Sequence, residues 1–461
     1  MNSVDWDQEL KKYQDVIASG TKSRKIKAMV TLARCSKHAP EHVLARTIPI
    51  LTEILGHNVS NNSASSLQEA AAYCLKCIAC RGGGELAVEI GGHGATHSLM
   101  RLLPHSDGSM QKVLIKCLLV IVSFCNASRA VVVTNGGVEM IIGLLSSCTN
   151  DTRRYLLEIL SVLALRRDVR KALNRLRALH YVVEAASFGT MMSRERACQA
   201  LGLLGVTRQT RRILVELGAI PVLVTLFHDG DHTTKLVAGN SLGVISAHVD
   251  YIRLVAEAGA IPLYAELLEG PDPSGKEIAE DVFCILAVAE ANAVEIAGHL
   301  VRILREGDDE AKASAADVMW DLSGYKHSMS IVRESGAIPI LVELLESGSE
   351  DVKVNVSGAF AQLSYDGTDR MALAEAGVIS VLIDMMNDVD EVEELRDNAA
   401  EALVNFYDDP LYHDRVAGEI NITSFRNIQN RLVHIRASNE HMARSLRRMS
   451  VEQLTWNTDL V

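Results

Sequence analysis

One apolar string recurs along this chain at a nearly fixed interval, and that periodicity restricts the fold more than any other feature. It opens at Gly218-Ala219-Ile220-Pro221 and returns at Gly259-Ala260-Ile261-Pro262, 41 residues on. Gly336-Ala337-Ile338-Pro339 is a third copy, and Gly377-Val378-Ile379 starts another 41 residues later. Weaker copies keep the spacing at Arg177-Ala178-Leu179, Gly136-Gly137-Val138 and Gly94-Ala95-Thr96. Gly298-His299-Leu300 opens a slightly shortened copy, and Arg46-Thr47-Ile48-Pro49 a first one stretched by polar residues. A period of about 40 residues is the mark of a repeat array, in which no unit buries its apolar face alone and neighbours must stack.

Within a unit the pattern predicts three helices. An apolar-periodic helix with Ile252, Val255 and Ala256 ends at Gly259, a residue that tolerates positive φ past a helix end. Pro262 stands where the next helix begins, and Leu263, Leu267 and Leu268 form its buried stripe. After a loop rich in Gly, Asp and Ser a third helix follows, here over 279–289 and later over 313–323 and 354–364. Aromatics make up only 4% of a chain that is 48% hydrophobic, a profile suited to Leu, Val, Ile and Ala packing between helices rather than to a β-sandwich.

Three helices in about 41 residues resemble the armadillo repeat family, its plant-type members above all. The resemblance implies an all-α, right-handed α-solenoid. It covers residues 41–418 as about nine repeats, with residues 1–40 as N-terminal capping helices. Residues 419–461 are expected to form a C-terminal capping helix over 423–448 and a short tail. The resemblance also implies that the third helices line a groove that holds partner segments. Importin-α-like members carry a Trp and an Asn four residues apart there. The matching positions, aligned on Leu322-Ser323, Leu363-Ser364 and Phe406-Tyr407, are Asp317 and Asp321, Gly358 and Gln362, and Glu401 and Asn405. Earlier repeats offer Asn240 with Val244 and Asp281 with Ile285. The Trp ladder is absent, which argues against a nuclear-import receptor.

What remains is an acidic and amide-bearing strip of Asn240, Asp281, Asp317, Asp321, Gln362, Glu401 and Asn405, with Trp320 as an aromatic anchor. Such a strip attracts Lys or Arg of a partner, or else is simply a solvated helix face. Charge is distributed in the same sense. The net −12 resolves into +9 over residues 1–250, −24 over 251–419 and +3 over 420–461. A basic ligand is drawn to the second half and an acidic one to the first. In the first half Tyr73, Cys77, Cys117 and Ile121 take the matching positions, so an apolar strip is expected there.

Strings that mimic catalytic motifs fall in the wrong context. Gly239-Asn240-Ser241-Leu242-Gly243 fits G-x-S-x-G but lies within a third helix, without the preceding strand a nucleophile elbow needs. Cys74, Cys77 and Cys80 also lie in a third helix, with Gly84 at the next ligand position. His93 and His97 lack the Glu of a zinc protease. The glycines at 82–84 and 91–92 follow no strand. Neither a cofactor nor a metal is expected, and the basic residues lack the aromatic interleaving of nucleic-acid binders. Residues 1–10 do not read as a signal peptide, and no run reaches the ~18 apolar residues of a membrane span. Nine cysteines scattered in apolar segments suit a reducing compartment. The expectation is a cytoplasmic protein, with nuclear access if Lys22-Ser23-Arg24-Lys25-Ile26-Lys27 is a localisation patch, and with Ser450 after Arg447-Arg448 as a candidate kinase site. The reading is a non-catalytic adaptor that binds a protein partner through a basic segment. Its alternatives are a substrate-recruiting subunit in ubiquitin ligation and a nuclear transport adaptor.

Overall fold

The repeated glycine position organises the backbone. In a computed structural model describing residues 5–57, 62–148, 150–324, 329–388 and 391–418, regular structure is helical, with no strand among the described residues. Gly94, Gly136, Gly218, Gly259, Gly336 and Gly377 all adopt φ between 73° and 87°, in the left-handed region. Each separates the first helix of a triplet from the second. The triplet Val249–Glu257, Ala260–Glu269 and Pro273–Leu286 is representative. Pro262 falls in the first turn of its helix, where backbone N–H groups have no intrahelical acceptor and a missing donor costs nothing. Asp272, Asp231 and Asp308 cap third helices by accepting from Ser274, Thr234 and Ala311 amides respectively.

One copy departs from the pattern. The sequence places a start at Gly298, yet Glu290–Glu306 is one continuous 17-residue helix with Gly298 inside it. This copy lacks the Pro of its neighbours, and its glycine stays out of the left-handed region. Nothing stops the first helix from running into the second.

The chain divides into two compact units, Met1–Leu204 with Ile213–Val222, and Gly205–Arg212 with Leu223–Val461. In the first, Lys22–Cys35 packs on Asn62–Ala79, which packs on Gly108–Phe124, which packs on Asn150–Ala164. In the second, His232–Ser246, Pro273–Leu286, Asp309–Ser323, Glu350–Leu363 and Glu393–Tyr407 pack in the same sequential way. The cores are aliphatic, with few rings. Tyr264 is fully buried, its hydroxyl donating to the Gly239 carbonyl at 2.7 Å while its ring meets Phe227 and Phe283 edge-on. The C-terminal capping helix expected over 423–448 lies outside the described residues.

A second repeated device caps the other end of the third helices. Arg129 donates to the Val122 and Ser123 carbonyls, Arg170 to Ala164 and Leu165, Arg211 to Gly205 and Val206, and Arg370 to Ser364 and Tyr365. Each arginine sits on a first helix and satisfies carbonyls at the end of the preceding third helix. Burial is the leading cause that lowers the pKa of Arg129, Arg170 and Arg211.

Candidate functional site on the third helices

The third helices of the second unit present one face away from their neighbours, and the sequence-derived strip falls on it. Asn240, Asp281 and Asp321 are exposed, and Asp317, Trp320, Gln362, Glu401 and Asn405 are half-buried. The residues beside them (Val282, Phe283, Val318, Met319, Leu363 and Leu403) are buried in the stack. Side chains four apart on one helix share a face, so these positions line up along successive helices.

Contacts between helices knit part of the strip together. The Trp320 ring lies across Gly358, where an added Cβ would sit 2.4 Å from Trp320 Cε2. Trp320 is therefore a half-buried packing residue whose exposed edge faces solvent. Cys284 Sγ donates to Asp321 Oδ2 at 3.2 Å, and burial followed by the Asp321 charge pushes this thiol's pKa up. Asn405 Nδ2 donates to Ser364 Oγ at 2.7 Å, and the Tyr365 hydroxyl donates to Glu401. Sequence reasoning missed Cys284 and Tyr365, and it named Gly358 as a groove position without its packing against Trp320. Only that packing, a Gly opposite a Trp one repeat earlier, carried a signal that could have found it.

The electrostatics separate this face from the rest of the unit. Asp317 has its pKa pushed up to about 6, first by burial and then by the neighbouring Glu280 and Asp321 charges. Glu280, Asp317, Glu350, Asp351, Asn355 and Glu394 line a pocket of about 370 Å³. On the first and second helices, Glu269 and Asp369 have arginine partners. Glu269 takes two bonds of 2.8 Å from Arg302, and Asp369 pairs with Arg333. Among the described residues, Asp281, Asp317 and Asp321 have no such cation.

The apolar strip expected on the first unit forms only at Asn62–Ala79 and fails at Gly108–Phe124. Cys117 and Ile121 are 0% exposed, packed between helices, whereas Tyr73 and Cys77 are partly exposed. Each residue along a helix advances the side-chain direction by about 100°, so alignment one residue late moved the reading from the open face into the core. The open face carries Lys116 and Val120 instead. Ser241 of the G-x-S-x-G string is 4% exposed inside His232–Ser246, so the string forms no nucleophile elbow. No helix among the described residues is long and apolar enough to cross a membrane by itself.

Residues 330–365, which span the triplet Met329–Glu334, Ala337–Ser347 and Glu350–Leu363, match the family model for the armadillo/beta-catenin-like repeat. The crystal structure of an engineered protein superposes with a TM-score of 0.63 at 22% identity, covering 88% of this chain and 99% of that one. A designed armadillo repeat protein in complex with the peptide (KR)4 is 23% identical, with a TM-score of 0.41, over 50% of this chain and 99% of that one. No curated protein matches the chain in sequence.

Proposed function

Since the chain is built of armadillo repeats, we propose that it is a non-catalytic scaffold holding a basic segment of a partner protein against the third helices of its second unit. The observation that carries this reading is the half-buried, cation-free Asp317, crowded by Glu280 and Asp321 on a unit where Glu269 and Asp369 are paired with arginine. A lysine or arginine of the partner supplies the missing charge, with most of the effect on association rate and selectivity. The edge of Trp320 beside Asp321 offers an aromatic anchor of the kind that dominates binding energies.

Titration of fluorescein-labelled octalysine, followed by anisotropy, tests the proposal. The chain is expected to bind the peptide, with affinity rising as pH increases through about 6, because Asp317 must ionise to pair with it. The Asp317→Lys/Asp321→Lys double variant should weaken binding by about tenfold or more. Equal affinity in the variant and the parent chain would reject the acidic face as the binding site.

A further inference from the structure

We propose that the third helices of the first unit form a second docking face, opposite in charge, which takes an extended acidic peptide and seats one of its carboxylates at Lys116, Arg154 and Tyr155. Lys116 belongs to Gly108–Phe124, and Arg154 and Tyr155 to Asn150–Ala164, the third helix packed against it. Lys116 Nζ lies 4.7 Å from the centre of the Tyr155 ring and Arg154 Cζ 4.9 Å from it. The Tyr155 hydroxyl oxygen accepts from Arg154 Nη2 at 3.4 Å and is hydrogen-bonded to Lys116 as well. With its oxygen occupied as an acceptor, the hydroxyl has its own proton left to donate. An O–H donor between two cations is a seat for a carboxylate. The Lys116 hydrogen bond, helped by the Arg154 and Lys112 charges, draws the phenol below its ordinary pKa.

A further cation, Arg196, shares the Glu158 carboxylate with Arg154. Arg129 is held on the helix-end carbonyls with Arg196 and Arg166 close enough to oppose its charge. Three carboxylates stand among them, and Asp168 is paired with Arg166 at 2.8 Å. Glu195 lies beside Arg196, and Glu158 is 8% exposed, 3.5 Å from Arg154, with one oxygen lacking any hydrogen bond. The face is a net cation in a half of the chain that carries +9.

The geometry favours a polypeptide over single-stranded RNA. Non-specific RNA binding needs aromatic faces free for base stacking, and the Tyr155 ring already has both cations on it, while Lys76 sits 5.8 Å from the Tyr73 ring. Packed helices lie about 8–10 Å apart, and three residues of polyproline II chain make one turn that returns the side chain to the same face after about 9 Å. A segment with an acid at every third position therefore places one carboxylate on each successive third helix.

The probe is a fluorescein-labelled peptide with Glu at every third position in a Gly/Ser background, titrated into the full chain. Lys116→Glu/Arg154→Glu should weaken it about tenfold or more, and Tyr155→Phe, which keeps the ring and removes the donor, about threefold. Asp317→Lys/Asp321→Lys, on the other unit, should leave its affinity unchanged, so this proposal and the octalysine reading fail separately. Thermal melts followed by circular dichroism confirm that each variant remains folded. No binding by the parent chain, equal binding by Lys116→Glu/Arg154→Glu and Tyr155→Phe, or tighter binding of an oligouridylate than of the peptide would overturn it.

Discussion

Arg177 holds φ at 54°, at the position where six other copies have a left-handed glycine. The left-handed conformation costs an L side chain roughly 1–2 kcal/mol. At Gly94, Gly136, Gly218, Gly259, Gly336 and Gly377 an added Cβ would meet nothing within 4 Å, so the repeat asks for glycine because of backbone conformation and not for lack of space. Arg177→Gly is therefore expected to stabilise the chain by about 0.5–1 kcal/mol, after the greater entropy of the unfolded chain offsets part of the gain. A rise in the urea midpoint would show it, and a fall would mean that the arginine side chain makes a stabilising contact. This position was legible in the sequence, since Arg177-Ala178-Leu179 keeps the spacing without the glycine. The arginines at 129, 170, 211 and 370 were not, although the first three are also 41 residues apart. A charged residue reads as solvated surface unless its carbonyl acceptors are known, and Arg211 is only 8% exposed.

For the helices, legibility depended on anchors. Leu322-Ser323, Leu363-Ser364 and Phe406-Tyr407 fixed the rotation of three third helices, and Asp317, Asp321, Gln362, Glu401 and Asn405 fell on the open face as read. Gly108–Phe124 had no such anchor, and an error of one residue placed Cys117 and Ile121 outside when they are inside. The fit between neighbouring helices is close at Trp320 and Gly358. Gly358→Ala puts a methyl group 2.4 Å from the indole and must displace it. The expected cost is about 1–3 kcal/mol, typical of overpacking. Trp320 emission should also move to the red, measured as the difference from the same variant carrying Trp320→Phe. Unchanged stability and unchanged emission together would show that the ring does not rest on that glycine.

Across the whole chain the charges are segregated, with −24 over residues 251–419 against +9 over 1–250. Like charges in one folded half repel each other, and the repulsion is screened once ionic strength shortens its range. Raising salt from about 0.02 M to about 0.5 M, where that range falls below roughly 5 Å, should raise the melting temperature. A decrease would mean that pairs such as Glu269–Arg302 and Asp409–Arg370 outweigh the repulsion. The unbroken helix Glu290–Glu306 has a consequence of another kind. A repeat array lengthens or shortens by whole units stacked on their neighbours, and the left-handed residue between first and second helices marks a matching point of two units. It is present at Gly259 and again at Gly336, but nowhere between them among the described residues. A crossover inside that stretch would splice a helical hairpin to a triplet, so the stretch should pass between descendants as one indivisible cassette while its neighbours are free to be duplicated or lost.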